Sequence, residues 1–136
     1  MATRGTISII DKEGNGKKIY SHWDNYPSGT GKTLLEHYNT EAKVKKLIAL
    51  GSISSLRPRV APAKGEVHTF DNPLEDVVIA YKRDRGETDV DPVSFKKKLP
   101  ENQTEEYDYV FKDGQWFVSD HGGKYQKLTK EMCERD

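Results

Sequence analysis

The residues best suited to chemistry in this 136-residue chain lie in the run Ile19-Tyr-Ser-His-Trp-Asp-Asn-Tyr-Pro-Ser-Gly-Thr-Gly-Lys-Thr33. Its end, Gly29-Thr-Gly-Lys-Thr33, closes like a phosphate-binding loop, in which backbone amides and a lysine cradle a polyphosphate. The full pattern needs a glycine five residues before Gly31, where Tyr26 stands. It also needs a buried strand ahead of it, and the strand expected here is half polar. A nucleotide-hydrolysing loop is therefore not expected. A weaker feature survives: glycines ahead of a helix N-terminus leave amides free, and Lys32 adds positive charge, which suits an anion without catalysis.

His22 and Asp24 lie two apart, so on a strand they share a face, and they read as a local hydrogen-bonded pair. His37, His68 and His121 show no ligand spacing, so no metal is expected. No serine stands in a nucleophile elbow, and Cys133, the one cysteine, falls near a terminus expected to fray. Neither an enzyme nor a cofactor is indicated.

A second cluster, Tyr81-Lys-Arg-Asp-Arg-Gly-Glu87, places three cations and two carboxylates at an expected strand end. It reads either as a salt-bridged edge whose charges discourage edge pairing, or as a site. In the second reading Arg83 or Arg85 offers a planar fork to a phosphate or carboxylate, oriented by Asp84 or Glu87. Both readings stay open.

The elements that must position these groups follow from periodicity. Gly5–Ile10 and Lys18–Trp23 read as a hairpin around Gly14-Asn-Gly16, with Tyr20 and His22 on one face. Pro27–Gly31 breaks the strand. Leu34, Leu35 and Tyr38, then Val44, Leu47 and Ile48, mark two helical faces, with Asn39 or Thr40 as cap and Gly51 as stop. Lys43, Lys45 and Lys46 fall on a solvated face. Residues 52–75 read as irregular, Val77–Lys82 as a short strand, and 84–100 as polar with a helical turn near Phe95. Tyr107–Phe111 and Trp116–Ser119 form a second hairpin, followed by a strand at Lys124–Leu128 and a helical turn at Thr129–Arg135. The expected fold is α+β: a small antiparallel sheet of two hairpins plus a short strand, covered on one face by a central helix pair. One domain spans 1–136, with 129–136 frayed.

Composition narrows the function classes. Lysine plus arginine and aspartate plus glutamate are both 22, so net charge is zero. A protein of the phosphate backbone carries a positive excess, so generic nucleic-acid binding is not expected. Zero charge also removes a barrier to self-association, which makes a homo-oligomer an expectation. The start Met1-Ala-Thr-Arg4 lacks an apolar signal core, and no stretch approaches the roughly 18 apolar residues of a membrane span. No membrane partner is expected, and the cytoplasm is the expected compartment.

Two strings, His22-Trp-Asp-Asn-Tyr-Pro27 with Gly31–Tyr38 behind it, and Val78-Ile-Ala-Tyr-Lys-Arg-Asp-Arg-Gly-Glu87, resemble a group of small, largely uncharacterised tailed-phage and prophage proteins. The resemblance runs from about Thr6 through the Trp116 hairpin. That group usually has Gly where Asn25 stands; Asn tolerates a left-handed backbone, so the turn after Asp24 is expected to survive. The resemblance implies a phage accessory protein acting on its host by stoichiometric binding. Its expected ligand is anionic and nucleotide-like, such as a bacterial immune signal; the alternative is a module that occludes a host protein. The expected ligand residues are His22, Trp23, Asp24, Tyr26, Lys32, Thr33, Tyr81, Arg83, Arg85 and Glu87. Trp23 or Tyr26 would stack on a base, while the Gly29–Thr33 amides, Lys32, Arg83 and Arg85 would meet phosphate.

Overall fold

Thr6 and Ser8 alternate with Ile7 and Ile9, a pattern for a strand whose β-branched residues stiffen it and whose apolar face is buried. In the computed structural model, which describes residues 3–96 and 105–135, this strand, β1 (Gly5–Ile10), lies inside the sheet. It pairs antiparallel with β2 (Asn15–Ser21) and parallel with β6 (Tyr107–Lys112). The Asp11 carboxylate accepts the Glu13 and Asn15 amides at 3.0 and 2.9 Å, so the reversal sits at Asp11–Gly14. As a result β2 starts at Asn15 and ends at Ser21, leaving His22 and Trp23 just past it.

From β6 the chain turns at Asp113 and Gly114 into antiparallel β7 (Gln115–Asp120), which β8 (Gln126–Lys127) flanks. On the far side β3 (Ile53–Ser55) meets the end of β2 in parallel and pairs antiparallel with β4 (Ile79–Ala80). Strand β5 (Val93–Lys96) takes the start of the same β2 edge. The α+β class holds, but the sheet has eight strands and is mixed, not small and antiparallel. The cause is β1: its second edge is closed by a strand about 100 positions away, and alternation alone does not distinguish a parallel partner from an antiparallel one.

Three local expectations also change. Ile53–Ser55 is a strand inside the stretch read as irregular. Phe95 lies in β5, not in a helical turn, with its ring over Gly16 where a side chain would collide. The strand expected over Val77–Lys82 shrinks to β4, because the Asp84 carboxylate takes the Ala80 amide at 2.8 Å and coils the chain into α3 (Tyr81–Arg85). Gly86, at φ 74°, then ends that turn. The polar reading of 84–100 runs partly into 97–104, outside the described residues.

A π-helical turn, Pro27–Gly31, leads into α1 (Lys32–His37), and α2 (Glu41–Ala49) follows, its N-terminus capped by the Thr40 hydroxyl. Leu34 and Tyr38, with Val44, Leu47 and Ile48, share one core with Ile7, Ile19, Tyr109, Phe111, Trp116 and Val118. Cys133 of α4 (Lys130–Arg135) is buried in that core rather than frayed. The polar ends of the core aromatics are all placed. Tyr38 donates to the Arg57 carbonyl at 2.6 Å, Trp116 to the Tyr38 carbonyl at 2.7 Å, and Tyr109 to the Asn25 carbonyl at 2.7 Å. Among the described residues no helix is long and apolar enough to cross a membrane.

Candidate functional site

Beyond β2 the His22 and Trp23 amides donate to the Ile53 and Ser54 carbonyls, so the chain runs on beside β3 before it turns. The left-handed residue at that turn is Asp24, at φ 59°, and not Asn25. Asn25 is fully buried, and its side chain explains the shift. Its amide nitrogen donates to the carbonyls of Thr3, Ser21 and Trp23 at 2.9, 2.9 and 3.1 Å. Its amide oxygen accepts from the Thr30 hydroxyl at 3.0 Å. One side chain thereby ties the segment ahead of β1, the end of β2 and the π-helical turn together.

The Gly29–Thr33 segment is already helical, which corrects the expected amide cradle. Gly29 donates to the Tyr26 carbonyl, Thr30 to the Asp24 carbonyl (both 2.9 Å), and the Lys32 amide is directed at the Gly29 and Pro27 carbonyls. Amides so engaged are not open to an anion. The glycines serve close packing instead. A Cβ on Gly29 would collide with the Asp24 carbonyl oxygen, and one on Gly31 would lie 3.2 Å from the Tyr109 hydroxyl. Gly29→Ala should therefore destabilise the fold by roughly 1–3 kcal/mol in urea unfolding, since the obstructing atom is backbone and cannot swing away.

His22 and Asp24 do not pair. The His22 Nδ1 lies 2.6 Å from the Tyr20 hydroxyl, and Asp24 accepts from Tyr26 at 3.2 Å, because the left-handed step at Asp24 swings it off the strand face. Trp23, Asp24, Tyr26, Lys32 and Thr33 line a cleft of about 290 Å³, which Glu36, His37 and Arg57 also line. Trp23 is 43% exposed and meets His22 edge-on at 4.8 Å. The charge on Asp24, and its hydrogen bond, push the Tyr26 phenol above its ordinary value, so the ring keeps its proton and stays a donor. Arg57 is anchored at the rim by donating from Nη1 to the Glu75 carbonyl at 2.5 Å. Helical spacing from Lys32 and Thr33 points to Glu36 and His37; nothing local in the sequence points to Arg57.

The second cluster does not line this cleft. Strand β3 separates it from the end of β2, a gap of about 10 Å at ordinary strand spacing. Burial first, and then the charges of Glu105, Tyr81 and Glu106, raise the Tyr20 phenol against the pull of Arg4. Arg83 is committed elsewhere. It donates to both Asp84 oxygens at 2.8 and 3.0 Å, to the Val60 carbonyl at 2.6 Å and to the Val78 carbonyl at 2.7 Å. Arg85 lies over the Phe70 and Tyr81 rings at 4.5 and 5.1 Å and pairs with Glu87.

His68 and Asp84 form a dyad whose side chains are 1% and 4% exposed, with Nε2 3.2 Å from the carboxylate. Its tautomer is set by the other nitrogen: Nδ1 accepts from the Leu74 amide at 3.0 Å, so Nε2 carries the hydrogen, shared with the Val78 carbonyl at 3.1 Å. With both nitrogens engaged, the ring is a strut for the 57–78 loop and has no lone pair for a substrate proton. For Asp84, burial raises the carboxyl, but hydrogen bonds from Arg83 and Ala80 and the charge of Arg83 outweigh it and hold it below its ordinary value.

No family model, curated protein or solved structure matches this chain. Among the described residues no group of three or more histidines, cysteines, aspartates or glutamates is placed to hold a metal.

One polar cluster has no counterpart in the motifs. Thr6 donates to buried Asp108 at 2.5 Å across the β1–β6 ladder, and the Glu105 amide donates to the same carboxylate. Burial raises Asp108 and lowers Lys18, each partly offset by the other's charge. Its signal is the spacing of Thr6 with Ser8 and Lys18 with Tyr20, which gives the sheet a polar second face.

Proposed function

We propose that this chain is a phage-encoded, non-catalytic binder of an anionic, nucleotide-like ligand, which it removes from bacterial immune signalling in the host cytoplasm. The observation that carries the reading is the cleft at the end of β2, where the half-exposed Trp23 and the Tyr26 ring stand beside Lys32 and Arg57. Aromatic faces stack on a base, and the two cations meet its phosphate. The His22–Pro27 and Tyr81–Glu87 motifs support the phage origin. The engaged ring of His68 favours binding over acid–base chemistry.

Trp23 is the natural reporter, because Trp116, the other tryptophan, is buried with its N–H bonded. Titration with nucleoside monophosphates and cyclic nucleotides should quench the solvent-exposed emission. Lys32→Ala should weaken binding about tenfold, the loss of one charge-assisted contact. If no nucleotide quenches Trp23 and the chain instead retains a host polypeptide, the protein occludes a partner and the ligand reading fails.

A further inference from the structure

We propose that the base read in this cleft is guanine, held by the Asp24 carboxylate, so that the ligand is a guanine mononucleotide. This rests on the nucleotide-binding reading above and names its ligand.

Charge is the first ground. The cleft is lined by both signs, Lys32 and Arg57 together with Asp24 and Glu36. A pyrophosphate or a cyclic dinucleotide brings a second negative group into a cleft already lined by two carboxylates. A ligand with one phosphate for the cations and N–H donors for a carboxylate matches this mixed lining. Volume agrees: about 290 Å³ lies at the lower edge of the range that small-molecule sites occupy, room for one nucleotide and not for two.

Asp24 supplies the specificity. It is an exposed carboxylate on a left-handed residue, φ 59°, where glycine would be at ease, so the position keeps a side chain at some conformational cost. The residue is nonetheless fixed, since its carbonyl accepts from Thr30 at 2.9 Å and the next residue is the buried Asn25. The Tyr26 hydroxyl donates to one carboxylate oxygen at 3.2 Å, which orients the group and leaves further lone pairs for a ligand. Guanine alone among the common bases sets a ring N–H and an exocyclic amine side by side, the pair one carboxylate accepts together. Adenine sets a ring acceptor beside its amine, and hypoxanthine keeps the ring N–H without the amine.

The test is calorimetric titration of the full chain with GMP, IMP and AMP. GMP should bind roughly ten- to hundredfold more tightly than AMP, with IMP between them, the discrimination a bidentate base contact provides. Asp24→Asn should erase the preference while binding that depends on Lys32 persists. Asp24→Gly should erase it too, with a melting temperature held or raised because the left-handed residue is relieved, which separates recognition from folding. Equal affinity for GMP and AMP, or a preference untouched by Asp24→Asn, would overturn the guanine assignment and leave nucleotide binding standing. Failure of these mononucleotides and of cyclic nucleotides alike to bind the folded wild-type chain would overturn both.

Discussion

Replacing Asn25 with glycine is expected to remove about 3–5 kcal/mol of stability and to lower the melting temperature by roughly 10–20 °C. By sequence the change looks mild, because an asparagine after Asp24 reads as a turn residue whose place glycine can take. The buried contacts make it severe. Glycine would leave the Thr30 hydroxyl without its acceptor and take the side-chain donor from three carbonyls, in a site closed to water. A void would open against Gly5, which packs on the Asn25 side chain so closely that a Cβ there would lie 2.8 Å from it. Urea unfolding should show a lower midpoint with an unchanged slope, the sign of lost native stability and not of an altered denatured state. Asn25→Asp should be worse at neutral pH, since it sets an anionic acceptor against carbonyl oxygens, and should partly recover in acid as that carboxyl protonates. A loss below about 1 kcal/mol for Asn25→Gly would mean that the turn is held by its backbone bonds alone.

The second large effect is expected at Asp84. Its carboxylate takes the Ala80 amide, both arms of Arg83 and the Nε2 of His68, while His68 holds the Leu74 amide. Asp84→Ala should cost about 3–5 kcal/mol by leaving the Arg83 charge half-paired beside a buried amide. The damage should be local first. Amide exchange at Leu74 and Val78 should accelerate while the β1–β6 ladder keeps its protection. The pH dependence has a definite sign. The folded carboxyl titrates below 3.8, its ordinary value, so its stabilisation is complete above that value and is lost as pH falls through the lower, folded one. Wild-type protein should lose this contribution only in acid, below about pH 4, and Asp84→Asn should lack that limb of the profile. An acid limb of equal size in Asp84→Asn would assign it to other carboxylates.

What the sequence makes legible follows from the range of each interaction. The strands around Ile7 and Tyr109 and the apolar faces of Leu34 and Leu47 rest on local periodicity, and they lie where that periodicity puts them. Trp23, Asp24, Tyr26, Lys32 and Thr33 are close in the chain, and they meet in one cleft. Arg57 reaches the same cleft only because β3 runs parallel to the end of β2, a pairing that its short, serine-rich strand does not announce. Arg83 looks like a free fork because two of its acceptors are the carbonyls of Val60 and Val78, and a backbone carbonyl has no letter in a sequence. Lys18 and Asp108 would be taken for surface charges, yet both are buried on the polar side of the sheet.

The parallel ladder between β1 and β6 has a consequence for the growing chain. Gly5–Ile9 is made early, and its partner Tyr107–Phe111 is made about a hundred residues later. Until that partner emerges, Thr6-Ile-Ser-Ile-Ile10 presents an uncharged, β-branched edge with no proline to blunt it, the kind of segment that pairs with other chains. Closing so long a loop also places the ladder late in folding. Nascent chains stopped short of Tyr107 are therefore expected to depend on chaperones for solubility, and full-length chains to escape that dependence once the β6–β7 hairpin is released.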